Sequence, residues 1–434
     1  MNRIHFISRR FVSKPHLRPS KQSKERLSSA LFSSYTLPPP HNHGLAPIPL
    51  KNGQKLVALG DIHGDFSALV RALKVAQVID QAATVTLETI ESVAWVGGDR
   101  ILVQLGDVLD RGISECSCWR LLTSLARQAE EKNGSVHMLY GNHEVLNMLN
   151  VWNYVEPGGD NEFDQDFGHL VTHNPIDGTS GSRSKALSPG HGSLIEPLIS
   201  NFNLALQVGS TVLVHGGLTR EHLLQNGGSI GKLNEAAREF VKTDFGNDKT
   251  KMRLKMPDFF GGGVSAQFSP IWMREYSKPS GGPVGYVVSH MIDALFEEID
   301  KSNDLGGVGG VGGVERICVG HTPQEKLNSV LDGKIWRIDT GLSSGVAGGV
   351  AEVLQVEGIE GGMDIVTVLS ERDGAVEGEA REIFRDLTST FMSSHSSSCV
   401  FFDNLFSAIV SPSTDLISSS DLPFVRKKFL ASVR

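Results

Sequence analysis

KLVALGDIHGDFSALVRALKVA, residues 55–76, decides the fold class. Its apolar opening, Lys55 to Leu59, reads as a strand that Gly60 and Asp61 stop abruptly. Asp65 then stands where a helix takes its N-cap, and Leu69, Val70, Leu73 and Ala76 give that helix an apolar stripe at helical spacing. The pattern recurs downstream: Ile101 to Leu105 reads as a buried strand, Gly106 to Gly112 as its loop, and Cys116 to Lys132 as a helix. A third strand, Val136 to Tyr140, runs straight into Gly141. Strand, loop and helix in alternation predict an α/β layered domain with its site at the carboxyl ends of the strands.

The rest of the chain bounds that domain. Of 434 residues, 40% are hydrophobic and 21% charged, the composition of an ordinary globular protein with one catalytic domain and appendages. No apolar run approaches the roughly 20 residues of a bilayer-spanning helix, so a soluble protein without a membrane partner is expected. The formal charge of -8 divides into +7 over residues 1–40 and -15 over the remainder, and a body that acidic is a poor partner for nucleic acid. Residues 1–45, rich in Arg and Ser and almost free of acids, have the composition of an organelle transit peptide, with a disordered basic tail as the plainer alternative. Four cysteines, Cys116, Cys118, Cys318 and Cys399, match no disulfide framework. Reduced thiols are expected, with a redox pair at Cys116 and Cys118 as the alternative.

From Trp152 to about Ser200 the periodicity fades, and residues 152–200 read as an insert or lid on a catalytic domain spanning 50–370. Strands resume at Thr211 to Val214, Ile317 to Val319 and Ile335 to Ile338. Gly306 to Gly313, GGVGGVGG, lacks the Lys and Ser or Thr of a phosphate-binding loop and reads as a flexible surface loop. Residues 371–434 form a Ser-rich extension whose role is not readable from its composition.

Five strand ends deliver polar residues in order: GDIHGD at 60–65, GDVLDRG at 106–112, GNHE at 141–144, VHGG at 214–217 and GHT at 320–322. One Asp or His at a strand end is ordinarily a cap, but five glycine-flanked sites form a pattern. Asp61, His63, Asp107, Asn142, His215 and His321 mix carboxylate, amide and imidazole donors, which suits manganese, iron or zinc better than an all-oxygen cage. There are more donors than one ion with open positions uses, so two divalent ions sharing Asp107 are expected, manganese foremost. Such a pair holds a shared hydroxide that attacks phosphorus in line. His143 is then placed to protonate the leaving group, with Asp110 to orient it and Arg111 to grip phosphate oxygens.

These motifs, in this order and spacing, resemble the phosphoprotein phosphatases of the calcineurin-like metallophosphoesterase superfamily. With VHGGL at 214–218, PIWMREYS at 270–277, GHTPQ at 320–324 and IWRIDTGLSSG at 335–345, residues 53–370 look like a Shewanella-like protein phosphatase. The resemblance implies two mixed β-sheets sandwiched between helices, and phosphorylated protein as substrate. It assigns Asp61, His63 and Asp107 to one metal and Asp107, Asn142, His215 and His321 to the other. His143 and Asp110 become the catalytic pair, and Arg111 and Arg274 the phosphate contacts. The chain departs from the eukaryotic pattern in lacking a SAPNY-like C-terminal motif and in its insert after GNHE, which leaves substrate preference and regulatory subunits open.

Two rivals remain at this stage. A symmetrical dinucleoside-tetraphosphatase shares the framework, but would be expected to carry Asn in place of Asp110 and Asp in place of Glu144. A non-catalytic scaffold of the same fold would have lost ligands or the acid, and all are present. The basic leader and the resemblance together point to a chloroplast, with the mitochondrion as the alternative.

Overall fold

The side-chain alternation of short, largely buried strands builds two stacked sheets. The computed structural model describes residues 33–38, 44–170, 181–245, 248–262, 266–278, 282–305, 313–359 and 364–371. In the first sheet β1 (Lys55–Leu59), β2 (Ile101–Gln104) and β3 (Ser135–Met138) are parallel neighbours. The second sheet begins with the antiparallel pair β4 (Ala205–Val208) and β5 (Thr211–Val214). It continues with β6 (Arg316–Val319) and β8 (Ile335–Arg337) parallel to β5, and β7 (Asn328–Val330) antiparallel at the far edge. The chain then returns to the first sheet, where β9 (Glu352–Glu357) lies antiparallel beside β1 and β10 (Ile365–Ser370) beside β9.

Successive residues of a strand point to opposite faces, and here each face has its own partner. Leu56 and Ala58 of β1 meet Leu354 and Val356 of β9 and, from the other sheet, Leu206, Leu213 and Trp336. Val57 and Leu59 turn outward to Leu69 and Leu73 of helix α1 (Phe66–Val75) and Leu121 and Leu125 of α2 (Glu115–Glu130). The result is the expected α/β fold, two mixed sheets between helices. Asp65 caps α1 as read from the sequence, its carboxylate accepting from the Ala68 N–H at 2.9 Å. The sequence reading leaves β4, β7, β9 and β10 unassigned, because runs of three to six residues become strands only when a partner edge is present.

α3 (Asn142–Met148) follows β3 directly. The stretch 152–200 is partly helical, with α4 (Asp160–Phe167) and α5 (Ser182–Leu187), while 171–180 fall outside the described residues, as do the glycines at 306–312 and the extension from 372. Residues 33–38 differ from the sequence expectation of a removable or disordered leader through 45. Tyr35 is fully buried against the Phe167 ring at 5.5 Å, and its hydroxyl donates to Asp166 Oδ2 at 2.5 Å. The Leu37 N–H donates to the Pro197 carbonyl at 3.0 Å, and Arg127 Nη1 to that of Ser33 at 3.0 Å. Scattered aromatics in a Ser-rich, basic stretch carry no periodicity, so the docking of Tyr35 is invisible to pattern. Among the described residues no helix is long and apolar enough to cross a membrane.

Leu354 lies in the layer between the sheets, remote in sequence from every site motif. Leu354→Ala is expected to cost about 2–5 kcal/mol, read as a lower urea midpoint at unchanged slope, with turnover of the folded fraction kept. A midpoint within error of the parent would show that the layer is not a packed core.

Candidate active site

The carboxyl ends of β1, β2, β3, β5 and β6 each turn sharply, and the turns after β1, β2 and β6 are strained. His63, Asp107, Asp110, Arg111 and His321 all adopt positive φ, between 48° and 69°. A non-glycine residue in that region costs on the order of 1 kcal/mol or more and persists only where its surroundings hold it there. Much of the holding is done by Glu144. Its buried carboxylate accepts from the N–H groups of Asp107 (2.8 Å), Val108 (2.9 Å), Leu109 (3.2 Å) and Gly141 (2.9 Å). Residue 141 must be glycine, since a Cβ there would lie 2.1 Å from Asp107 Oδ1.

All six metal-ligand candidates converge. Asp107 Oδ2 faces the Nε2 atoms of His215 at 3.3 Å, His63 at 3.8 Å and His143 at 3.9 Å. Asp61 Oδ2 lies 4.0 Å from His63 Nε2, and Asn142 Oδ1 lies 3.0 Å from His215 Nε2. Two groups of donors, His63, Asp107 and His143 in one and Asp107, His215 and His321 in the other, have ligand atoms within 4.8 Å of one another. Asp107 belongs to both, which is the placement a shared ligand requires. The carbonyls of Leu109 and Leu105 accept from Nδ1 of His63 (3.0 Å) and His215 (2.9 Å), fixing the proton there and turning the Nε2 lone pairs inward. His321 Nε2 is buried with no hydrogen-bond partner.

The charges say what the site is suited to hold. Burial, then Asp339, pushes Asp61 well above the usual carboxylate range. Burial also opposes ionisation of Asp107, but His215, His143 and His63 overcome it and hold this carboxyl well below that range. His215 is pushed down by burial and up, more strongly, by Asp107 and Asp61, to about 10. Burial takes His63 down to about 4 and, with His215 adding, His321 to about 2. Buried carboxylates therefore demand a cation: in the protein alone a protonated His215 answers, and divalent ions answer with every imidazole neutral. The donor set, the inward lone pairs and the orphaned His321 Nε2 fit a pair of divalent metal ions.

Beside this centre His143 Nδ1 meets Asp110 Oδ2 at 2.6 Å, and Asn147 Nδ2 donates to Asp110 Oδ1 at 2.9 Å. Arg111 lies over the Tyr154 ring, 5.1 Å from its centroid, with Nε buried and unpartnered, while the same ring meets His143 edge-on at 5.0 Å. Arg274 sits exposed beside the His321 turn, its Nη1 donating to the His321 carbonyl (3.1 Å) and Thr322 Oγ1 (2.9 Å). Sequence reasoning missed Glu144 as a clamp, although its place three residues past the Gly141 N-cap is a capping signal. It also missed Asn147, Tyr154 and Asp339, for which only the fold supplies neighbours. Cys116 and Cys118 lie fully buried in α2, where burial, then Glu162, keeps both thiols protonated far above their usual range, against the redox alternative.

The sequence pattern of the calcineurin-like phosphoesterases matches residues 54–325. The chain belongs to that family. Among these phosphoesterases its relatives include Shewanella-like protein phosphatase 2 of Arabidopsis thaliana, 30% identical over an alignment of 343 residues that covers 72% of this chain and 78% of that protein. Shewanella-like protein phosphatase 1 of Plasmodium berghei (strain Anka) is 27% identical over 324 residues, 74% of this chain and 72% of that one. A solved structure of a cold-active protein tyrosine phosphatase aligns with TM-score 0.51 and 21% identity over 82% of this chain and 87% of its own, and shows the same fold. The Shewanella-like identity inferred from the motifs stands, and the phosphoesterase is an enzyme of the protein phosphatase branch.

Glu144→Gln in this phosphoesterase replaces an acceptor oxygen with an amino group facing backbone N–H donors. It is expected to lower stability by about 1–3 kcal/mol and manganese affinity by about 10- to 100-fold, measured by thermal melts and calorimetric titration. Unchanged manganese affinity would mean the clamp does not set the ligand turns.

Proposed function

We propose that this enzyme removes phosphoryl groups from phosphorylated protein side chains by direct in-line attack of water on phosphorus, with His143 as general acid. The observation that carries the reading is the buried His143–Asp110 contact of 2.6 Å beside the shared ligand Asp107. Asp61, His63 and Asp107 would hold one ion, and Asp107, Asn142, His215 and His321 the other. Two bound divalent ions supply Lewis acidity to a water nucleophile and to the phosphoryl oxygens. Manganese is the proposed pair, with iron or zinc as alternatives for this mixed donor set.

The chain's own groups do the rest. Asp110 accepts from His143 Nδ1, so the proton for the departing oxygen sits on Nε2, the nitrogen that faces the centre. Arg111, with its unpartnered Nε, and Arg274, held on the His321 carbonyl, would grip phosphoryl oxygens. No side-chain nucleophile is called for, so no covalent enzyme intermediate is proposed. Asp110 and Glu144, each with its own structural task, favour this reading over a dinucleoside-tetraphosphatase, and the full ligand set favours it over a non-catalytic scaffold.

His143→Asn is expected to lower turnover on a phosphopeptide by about 10²- to 10⁴-fold at unchanged metal content and melting temperature. Full turnover in that variant would sink the acid assignment. Stripping the metals with a chelator should abolish release of phosphate from the peptide, and manganese should restore it. A preference for diadenosine tetraphosphate over phosphopeptides would favour the rival hydrolase.

A chloroplast address belongs to the same proposal, with the mitochondrion as alternative. The docking of residues 33–38 supports a leader that ends upstream of Ser33 rather than at 45. Residues 1–60 fused to a fluorescent reporter are expected to co-localise with chlorophyll in leaf cells. A purely cytosolic signal would refute the leader.

A further inference from the structure

Arg183, on α5 of the insert, is buried to 2% exposure and spends all five of its N–H donors inside the protein. Nε donates to Asp160 Oδ1 at 2.7 Å, and Nη2 to the Gly159 carbonyl at 3.1 Å and to Glu115 Oε2. Nη1 donates to Glu115 Oε1 at 3.1 Å and to Asn147 Oδ1 at 2.9 Å, and lies 3.9 Å from Asp110 Oδ1. The Phe163 ring packs over the guanidinium at 4.4 Å. Nothing in the hydrolytic chemistry described so far uses this residue.

We infer that Arg183 is a positioning residue for the general acid, setting the direction of every hydrogen bond between the insert and His143. This rests on the reading of His143 as the acid. A guanidinium only donates, so the Asn147 amide must turn its oxygen to Arg183, and its Nδ2 must then donate to Asp110 Oδ1. With Oδ1 occupied, Oδ2 is the oxygen left for His143 Nδ1, which places the transferable proton on Nε2. The second arm acts on backbone: Glu115, held by the Arg183 fork, accepts the Asp110 N–H at 2.5 Å and keeps Asp110 at φ 69°. Arg183 also sets positive charge 3.9 Å from one buried carboxylate and in contact with another, neither of which has a lysine or second arginine among its described partners. The described part of the insert is therefore the back wall of the acid.

The test compares two substrates in the full-length, manganese-loaded enzyme: p-nitrophenyl phosphate, whose leaving group needs little protonation, and phenyl phosphate, whose leaving group needs more. Arg183→Gln is expected to lower kcat on phenyl phosphate at least about tenfold more than on p-nitrophenyl phosphate. Arg183→Lys should recover part of that gap, with metal content at the parent level throughout. In the metal-free protein, the downfield proton signal of His143 Nδ1–H, identified by its loss in His143→Asn, should shift or broaden in Arg183→Gln. Equal losses on both substrates with an unmoved proton signal would overturn the inference and leave Arg183 a structural residue. If Arg183→Gln does not fold, Asn147→Leu decides, because it breaks the relay while keeping the Arg183–Glu115 pair: the same substrate gap supports the role, and no gap refutes it. His143→Asn separates the two claims. Without a gap there the acid reading itself fails, whereas a gap in His143→Asn but in neither relay variant removes only the positioning role.

Discussion

The buried carboxylate of Glu144 is the contact on which the site depends. Four backbone N–H groups converge on it, three from the turn after β2 and one from the turn after β3. That turn carries Asp107 in left-handed backbone, and Asp107 in turn faces three imidazoles and accepts the His143 N–H at 2.9 Å. A carboxylate that accepts several backbone donors is strongly held, which is how the fold keeps strained residues in register. The two sheets supply rigid strand ends, and Glu144 ties adjacent ends together.

What the sequence made legible follows from which forces are local. Asp61, His63, Asp107, Asn142, His215 and His321 each follow an apolar run and neighbour a glycine, so their placement at strand ends was readable, and all six converge. The His143–Asp110 pairing was readable because both residues belong to those same turns. Long-range contacts were not. Arg183 meets Glu115 across 68 positions and Tyr35 meets Asp166 across 131, and neither pair leaves a periodic trace. Strand β9 and the edge strand β10 were missed for a related reason: each is stabilised by its partners rather than by its own six residues.

Electrostatics links the two scales. The chain beyond residue 40 is strongly acidic, yet the acids that matter are few and buried, where water no longer screens them. Asp61 and Asp107 answer to imidazoles and to the metal ions they fit, and Asp110 and Glu115 answer to Arg183. The two groups are separate in partners and joined through His143, which touches both Asp107 and Asp110. On the proposed reading a phosphoryl group brings more negative charge to this centre, where Arg111 and Arg274 form no ion pair among the described residues.

The docked stretch at residues 33–38 bears on how this protein is handled as a reagent. An expression clone cut at residue 45, the bound that composition alone suggests for the leader, would remove a phenol whose ring and hydroxyl are both satisfied inside the molecule. The slot left behind is bounded by Phe167 of α4 and by α2, so the damage would fall on the insert that carries Arg183. A truncated protein of that kind can keep its metal ligands and still misreport the chemistry of the native chain.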